Sequence, residues 1–441
     1  MSRRSRKKLP QTPVTVEIEK LSHEGRGIAH IDGKTVFVHR ALPHETVILR
    51  YSAQHRRFDE GDTEDVLKAS PLRVAPVCPH FGFCGGCQMQ HMDSDAQIQF
   101  KQTVLLEQLQ HLGGVQPAEI LPPLTGNTVA YRHKARLGVR YVIKKQQTLI
   151  GFRERRSHFI ADIDQCPILH PSMGQALPAL KTLLTQLAGR DQIAQIEVAV
   201  GDNHTALVLR NMNALSAADE QQLIDFAKQS GLHFYLQPAG ADSVYPLWPV
   251  PALPLVYTLE PDLRLQFAPL DFTQVNPAMN RKMLAQALAL LRLEPQDAVL
   301  ELFCGLGNFT LPLAKTVRQV TAVEGDAGLI VRAKRNAADN GLDNIDYHVA
   351  NLMETPLAAP WLSAHYDKIL LDPPRSGALE IIEQLDLSQC QRLLYIACNP
   401  ATLARDAGIL VKNKGLRLVK AGVMDMFPHT AHVESMALFI R

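Results

Sequence analysis

Residues 297–326 read DAVLELFCGLGNFTLPLAKTVRQVTAVEGD, and this stretch decides the fold of the C-terminal half of the chain. Its opening apolar run predicts a buried strand, Gly305 and Gly307 a tight turn, the next residues a helix, and the run ending at Glu324 a second strand. Glycines at that turn let the backbone approach a nucleotide closely. An acidic residue about twenty positions later, here Glu324, is placed to accept both ribose hydroxyls. A glycine loop alone is a weak signal, and Thr310 stands where a dinucleotide fingerprint has its third small residue, which disfavours a pyrophosphate cofactor. S-Adenosylmethionine has no phosphate; it needs the close turn and the acidic clamp but no anion site.

From about Asp271 onward strands and helices alternate, which implies a parallel sheet flanked by helices. Asn351, in VANLME, follows a third strand and is placed to read an adenine; Asp372 ends a fourth strand in YDKILLDPPRSG. Each alone is an ordinary polar loop end. A binding residue at each successive strand end fits a class I methyltransferase, whose ligand lies across the carboxyl ends of the sheet.

A fifth strand is predicted in QRLLYIACNPATLARD, residues 391–406, stopped by Asn399-Pro400 before a helix. Cys398 sits at its end. Most free cysteines are small core hydrophobes, but a thiol facing a methyl donor has a chemical use. Carbon 5 of uracil is a poor nucleophile until a thiolate adds to carbon 6 and turns the ring into an enolate. A base must then remove the carbon 5 proton. Glu434, in MFPHTAHVESMALF with His429 and His432 beside it, is the candidate, although alone it reads as a surface carboxylate at a strand start.

The rest of the chain frames this site. At 441 residues it is long enough for about three domains. Its 46% hydrophobic and 20% charged content describe a globular protein, and a net charge of +2 leaves any nucleic-acid signal to the distribution of charge. No stretch is apolar enough to cross a bilayer, and MSRRSRKKLP lacks the apolar run of a secretory signal, so a cytoplasmic protein is expected. In that reducing compartment the seven cysteines are read as metal-binding, catalytic or core thiols rather than disulfides.

Residues from Val14 to about Leu67 alternate short apolar strands with Gly and Pro turns, the pattern of a small β-barrel. Ahead of them Arg3, Arg4, Arg6, Lys7 and Lys8 form a tail able to track phosphates, or simply to remain disordered. In the central region YRHKARLGVRY places Arg132, Lys134, Arg136 and Arg140 on one strand face, and Arg153, Arg155 and Arg156 follow. A face this basic is expected to meet a polyanion. In VCPHFGFCGGCQMQH, Cys78, Cys84 and Cys87 lie among turn residues, and Cys166 precedes a proline in DQCPIL. Four thiolates hold a tetrahedral zinc or a [4Fe-4S] cluster, and spacing does not choose between them. A fourth ligand closes such a cluster, which favours a structural or RNA-contacting role over radical chemistry.

EKLSHEGRGIAHIDGKTVFVHRALPHETV resembles the TRAM domain, an OB-like barrel of RNA-modifying enzymes. LDFTQVNPAMN, ELFCGLGNFTLPLA, VEGD, LDPPRSG, IACNPATLARD and FPHTAHVE resemble the motif set of the RNA uracil-5-methyltransferases, almost throughout the C-terminal domain. With the barrel and four cysteines, the whole chain resembles the 23S ribosomal RNA members rather than the transfer-RNA enzyme that lacks both. The resemblance implies that Cys398 is the nucleophile and Glu434 the base. It implies S-adenosylmethionine binding by Gln274, Phe303, Asn308, Glu324, Asn351 and Asp372, and a [4Fe-4S] cluster on Cys78, Cys84, Cys87 and Cys166. It also packs the segment DAQIQFKQTVLLEQLQ back on the catalytic domain. Cys304 and Cys390 read as core thiols.

The expected architecture is multidomain: a basic tail (1–12), the TRAM barrel (13–72), a central α+β domain with the iron-sulfur site and a basic RNA-binding face (73–270), and a Rossmann-like α/β methyltransferase domain (271–441). The expected activity is carbon 5 methylation of a uridine in 23S RNA by a monomer with no membrane or obligate protein partner. Methylation of another ribosomal or transfer-RNA uridine, or a non-catalytic RNA-binding or ribosome-assembly role, are the alternatives. An amino-nitrogen methyltransferase is disfavoured, since it needs no strand-end thiol and wants an aromatic residue where Arg375 stands.

Overall fold

The computed structural model describes residues 9, 10, 12–355, 357 and 359–441. The basic side chains of the N-terminal tail lie outside the described residues. Among the described residues no helix is long and apolar enough to cross a membrane.

The N-terminal barrel is one six-stranded sheet in the spatial order Val14–Glu17, Thr46–Gln54, Phe58–Lys68, Lys34–His39, Gly27–Ile31 and Lys20–Leu21. Alternate residues Val16, Ile18, Ala29, Val36, Val38, Val47 and Leu49 fill it, as the period of two requires. The sheet coils tightly at Gly61, where a Cβ would sit 2.6 Å from Leu49 Cδ1.

A second six-stranded sheet builds the central region, in the order Tyr245–Trp248, His233–Gln237, Thr205–Asn211, Ile193–Val200, Lys134–Val142 and Gln147–Gly151. Helices Leu177–Gln186 and Ala217–Ser230 cover its apolar face. Strand Lys134–Val142 alternates as its sequence predicts, with Ala135, Leu137 and Val139 buried and Arg136 and Arg140 exposed. Some of the neighbouring charge is engaged within the protein. Lys134 Nζ turns in to donate to the Pro269 carbonyl at 2.7 Å, and Arg136 pairs with Glu197 at 2.5 Å. Arg155 and Arg156 both pair with Asp62 of the barrel, the latter at 2.5 Å. Much of that positive charge joins the protein's own parts, where acidic partners neutralise it.

The C-terminal sheet has eight strands, ordered Ile345–Val349, Gln319–Glu324, Ala298–Leu302, Lys368–Leu371, Arg392–Ala397, Glu434–Ile440, Arg417–Met424 and Glu119–Ile120. Its first five strands run parallel, and Glu434–Ile440 is antiparallel to both of its neighbours. This is the doubly wound order of a class I methyltransferase, with the reversal of strand order at Ala298–Leu302 opening a ligand crevice. Glu119–Ile120 adds a parallel edge strand from outside the 271–441 limits. Hairpin Leu255–Glu260/Leu263–Phe267 also lies outside them, yet Leu255, Tyr257, Leu259, Leu263 and Leu265 share one core with Met279, Met283 and Leu284. The other face carries helix Pro400–Lys412 and, packed on it, helix Ser94–Gln108. The helical turn that follows, Leu109–Gly113, comes closest: a Cβ on Gly113 would sit 2.4 Å from the Ala404 carbonyl oxygen.

Candidate active site and cysteine centre

Parallel strands bring their carboxyl ends to one edge of the sheet, and there a cavity of about 590 Å³ opens. Gln274, Phe303, Asn308, Glu324, Asp372, Cys398 and Glu434 all line it. Asn351 does not: its Nδ2 donates to Glu354 Oε1 at 3.1 Å and its Oδ1 accepts from Met353 N at 3.2 Å. These bonds hold the exposed side chain within its own loop.

Glu324 closes the glycine turn. Its Oε2 accepts from Gly305 N at 3.1 Å and its Oε1 from Gly325 N at 2.7 Å. Phe303, at the exit of the preceding strand, holds φ at 66°; a left-handed conformation costs a non-glycine residue about 1–2 kcal/mol and here bends the chain into the cavity wall. Asn308 is fixed by reciprocal bonds to the buried Asn280 at 2.8 and 3.0 Å.

Cys398 follows strand Arg392–Ala397, and Asn399 then caps helix Pro400–Lys412 by accepting from Ala401 N at 3.1 Å, with proline at the first helical position. Asn399 Nδ2 also donates to the Arg375 carbonyl at 3.0 Å. Glu434 reaches the same edge because it begins an antiparallel strand, and such a strand starts where its parallel neighbour ends. Ala397 pairs with Ser435, so Cys398 and Glu434 occupy adjoining positions at the cavity.

The site is acidic, and its carboxylates and thiol are drawn in from the surface. Burial pushes the Glu434 carboxyl up to about 8; Asp372 adds to the rise, while Lys101 and Arg375 oppose it. Burial likewise pushes Asp372 up to about 7. The Cys398 thiol is pushed up to about 11, first by burial and then by Glu434 and Asp372, with Arg375 pulling the other way. His432 lines the cavity beside Phe427, with ring centroids 5.4 Å apart. His429 is not among the lining residues. Its carbonyl accepts from Gln88 N and Met89 N, both at 2.9 Å, and joins the C-terminal loop to the cysteine loop.

Several lining residues escaped the sequence reading. Tyr257 and Leu265 come from the hairpin assigned to the neighbouring domain, and Phe272, 72% exposed, stands at the cavity mouth. Arg375 carried a signal, being a cation directly after the two prolines that follow Asp372.

Cys78, Cys84, Cys87 and Cys166 line one separate pocket, with Tyr131, Arg132 and Phe152 among its walls. Burial raises all four thiols, Cys84 to about 11 and Cys87 to about 12, and both of these also feel the charges of Cys166 and Cys78. Four thiols gathered in one pocket are the donor types that a thiolate-bound metal centre uses. Among the described residues no group of three such donors is arranged to enclose a metal ion as it stands. Cys304 and Cys390 are buried in the core, as expected.

A class I methyltransferase sheet with a thiol and three carboxylates in its crevice defines the class, and comparison with known proteins agrees. Residues 260–358 and 361–441 match the tRNA (Uracil-5-)-methyltransferase family, and residues 9–49 match the TRAM domain. The chain is 51% identical over 440 residues to the 23S rRNA (uracil(1939)-C(5))-methyltransferase RlmD of Xanthomonas campestris, covering 99% of both chains. It is 53% identical over 446 residues to RlmD of Hahella chejuensis, covering 100% of this chain and 99% of that protein. The protein belongs to the RlmD family of 23S rRNA uracil-C5-methyltransferases.

The fold is shared more widely. The crystal structure of the Pyrococcus abyssi tRNA (uracil-54, C5)-methyltransferase, in complex with S-adenosyl-L-homocysteine, superposes with a TM-score of 0.75 at 23% identity, covering 97% of this chain and 99% of that one. A transfer-RNA enzyme thus shares the architecture across nearly the whole chain, and overall architecture alone does not separate the two RNA substrates.

Proposed function

We propose that this protein transfers a methyl group from S-adenosylmethionine to carbon 5 of one uridine in 23S ribosomal RNA, the equivalent of the uracil 1939 in its relatives' names. The observation that carries this reading is the placing of Cys398 and Glu434 on adjoining strand ends in one cavity with Glu324.

Glu324 would hold the ribose of the donor, while Phe303, Asn308, Gln274 and Asp372 would wall its remaining length. A place for Asn351 at the adenine rests on family resemblance, and its bond to Glu354 would have to open. Once bound, the donor supplies an electrophilic methyl group. The uridine has to leave its stack to expose carbon 6 to a sulfur and carbon 5 to the methyl. The Cys398 thiolate bonds to carbon 6 and the ring electrons shift to carbon 5, which would take the methyl group as the donor's sulfur–methyl bond breaks and S-adenosylhomocysteine is left. Glu434 removes the carbon 5 proton, and the electrons of that bond restore the ring double bond as the carbon–sulfur bond breaks. The thiolate is regenerated, and the proton passes from Glu434 to solvent.

Four thiols in one pocket support a [4Fe-4S] cluster held by Cys78, Cys84, Cys87 and Cys166, in a structural role beside the RNA-binding parts. Protein purified without oxygen is expected to contain equal iron and acid-labile sulfide and little zinc; zinc without sulfide would replace the cluster with a mononuclear site. The barrel, as a TRAM domain, would contribute RNA contacts, and we place the protein in the cytoplasm as a monomer.

The test uses 5-fluorouridine-substituted 23S RNA and tritiated S-adenosylmethionine. Fluorine cannot leave as a proton, so the wild type should trap a denaturation-resistant protein–RNA adduct carrying the methyl group, and Cys398→Ala should trap none. Turnover of unmodified RNA without a trapped adduct would point to nitrogen or oxygen methylation. No transfer to ribosomal or transfer RNA would favour an RNA-binding protein.

A further inference from the structure

Helix Ser94–Gln108 follows the cysteine loop and lies against the catalytic domain. Ile98, Lys101, Gln102, Leu105 and Leu109 follow the i, i+3, i+4, i+7 spacing of a core-facing stripe. A helix that only had to pack would be apolar throughout it, yet Lys101 is fully buried and Gln97 and Gln102 nearly so. A buried ammonium is costly unless it is paired.

All three polar side chains reach one short segment. Gln102 Oε1 accepts from Val423 N at 3.1 Å. Lys101 Nζ donates to Asp425 Oδ1 at 2.7 Å and to the Phe427 carbonyl at 3.0 Å. Gln97 Oε1 accepts from His429 N at 2.9 Å. Five residues further on is Glu434. Asp372 and Arg375 face it from the loop after strand Lys368–Leu371, Cys398 from the neighbouring strand end, and Asp425 and His432 from its own segment. Lys101 is the cation at its back, sealed from solvent, whereas Arg375 stands exposed at the cavity.

We propose that Lys101, with Gln97, is a positioning residue for the general base: it anchors the segment leading into Glu434 and keeps a fixed positive charge behind that carboxylate. This rests on the reading of Glu434 as base. After methyl transfer the donor has lost its positive charge, and Glu434 must still be ionised to take the carbon 5 proton. A counter-charge built into the fold serves that moment. Burial lowers the Lys101 ammonium, and Asp425 first and Glu434 after it hold the proton on, while Lys101 in turn opposes the rise of the Glu434 carboxyl.

The test separates formation of the Cys398 adduct from its release in Lys101→Met, in the full chain, on unmodified 23S RNA across pH 6–9. Removing the cation raises the Glu434 carboxyl further, so the rising limb of release should move up by about one pH unit, and release near neutral pH should slow about tenfold. Adduct formation should change little, so methylated adduct accumulates. Lys101→Met/Asp425→Asn leaves no orphaned charge, which keeps the test open if the single variant fails to fold; it should move the limb in the same direction but by less, because a negative charge leaves with the positive one. Lys101→Arg should restore the wild-type limb. A variant in which both steps slow together, with the limb unmoved, reduces Lys101 to packing and overturns the inference alone. A wild type that transfers no methyl group to RNA overturns the proposed function and this inference together.

Discussion

Ala397 and Ser435 face each other across antiparallel strands, with the Ser435 hydroxyl donating to the Ala397 carbonyl at 3.2 Å. That register assembles the site, because one residue beyond the pair lie Cys398 and Glu434. A slip of one residue would turn each side chain to the other face of the sheet.

Division of labour between the two groups predicts different failures. Glu434→Gln should still form the carbon 6 adduct and accept the methyl group, but release product 10²-fold or more slowly, as loss of a general base does. Gel-shifted protein–RNA adduct should accumulate with unmodified RNA. Wild-type turnover by Glu434→Gln would move the base elsewhere.

With its thiol pushed up to about 11, chiefly by burial and then by Glu434 and Asp372, Cys398 should be almost wholly protonated at neutral pH without ligand. A ligand carrying positive charge near it should lower that value. Sinefungin, with an amine where the donor has its sulfonium, should therefore speed alkylation of the Cys398 peptide at pH 7.5 more than neutral S-adenosylhomocysteine does. Equal rates with both ligands, measured by mass spectrometry, would remove electrostatic activation by the donor.

Glu301 is buried beneath the glycine turn, and burial pushes its carboxyl up to about 8, with Asp372 and Glu324 adding to the rise. The folded state thus holds a proton that the unfolded chain releases above about pH 4.5. Stability from this group is complete below the unfolded value and falls as pH rises towards 8. Glu301→Gln should unfold at a higher temperature than wild type at pH 8.5, and that advantage should shrink towards pH 5. A gap independent of pH would mean that the carboxyl does not titrate there.

Lys368 and Asp297 form an ion pair buried on both sides, and Lys368 Nζ also donates to the Arg292 carbonyl at 2.6 Å. Lys368→Met should cost about 3–5 kcal/mol in urea unfolding by stranding a carboxylate. Adding Asp297→Asn should recover part of that loss; two additive losses would show that the groups are not coupled.

Residues at the ends of parallel strands were legible because this topology gathers carboxyl ends at one edge. Glu324, Asp372 and Cys398 needed only their strands to be recognised. Glu434 starts an antiparallel strand, and spacing gave no reason to place it beside Cys398; only the family motif did. Asn351 looked equivalent to its neighbours, but a short loop gave its amide nearer partners. The charges of YRHKARLGVRY and of Arg155 and Arg156 were visible while their acidic partners, Glu197 and Asp62, were not, because those pairings are long-range. Lys101 did leave a trace: a lysine, followed by Gln102, between Ile98 and Leu105 on the stripe that faces the core. Tyr257 left none, since its hairpin joins the catalytic core only in three dimensions.

The strand Glu119–Ile120, laid along Arg417–Met424, has a consequence for anyone cutting this protein into pieces. An excised fragment starting at residue 271 would lose that strand, the Ser94–Gln108 helix and the hairpin that fills the same core. It would bare an unpaired ladder edge and an uncovered apolar layer, both of which invite self-association. The catalytic half is contiguous in sequence without being autonomous, and a soluble minimal enzyme would have to keep the residues from 94 to 120 attached.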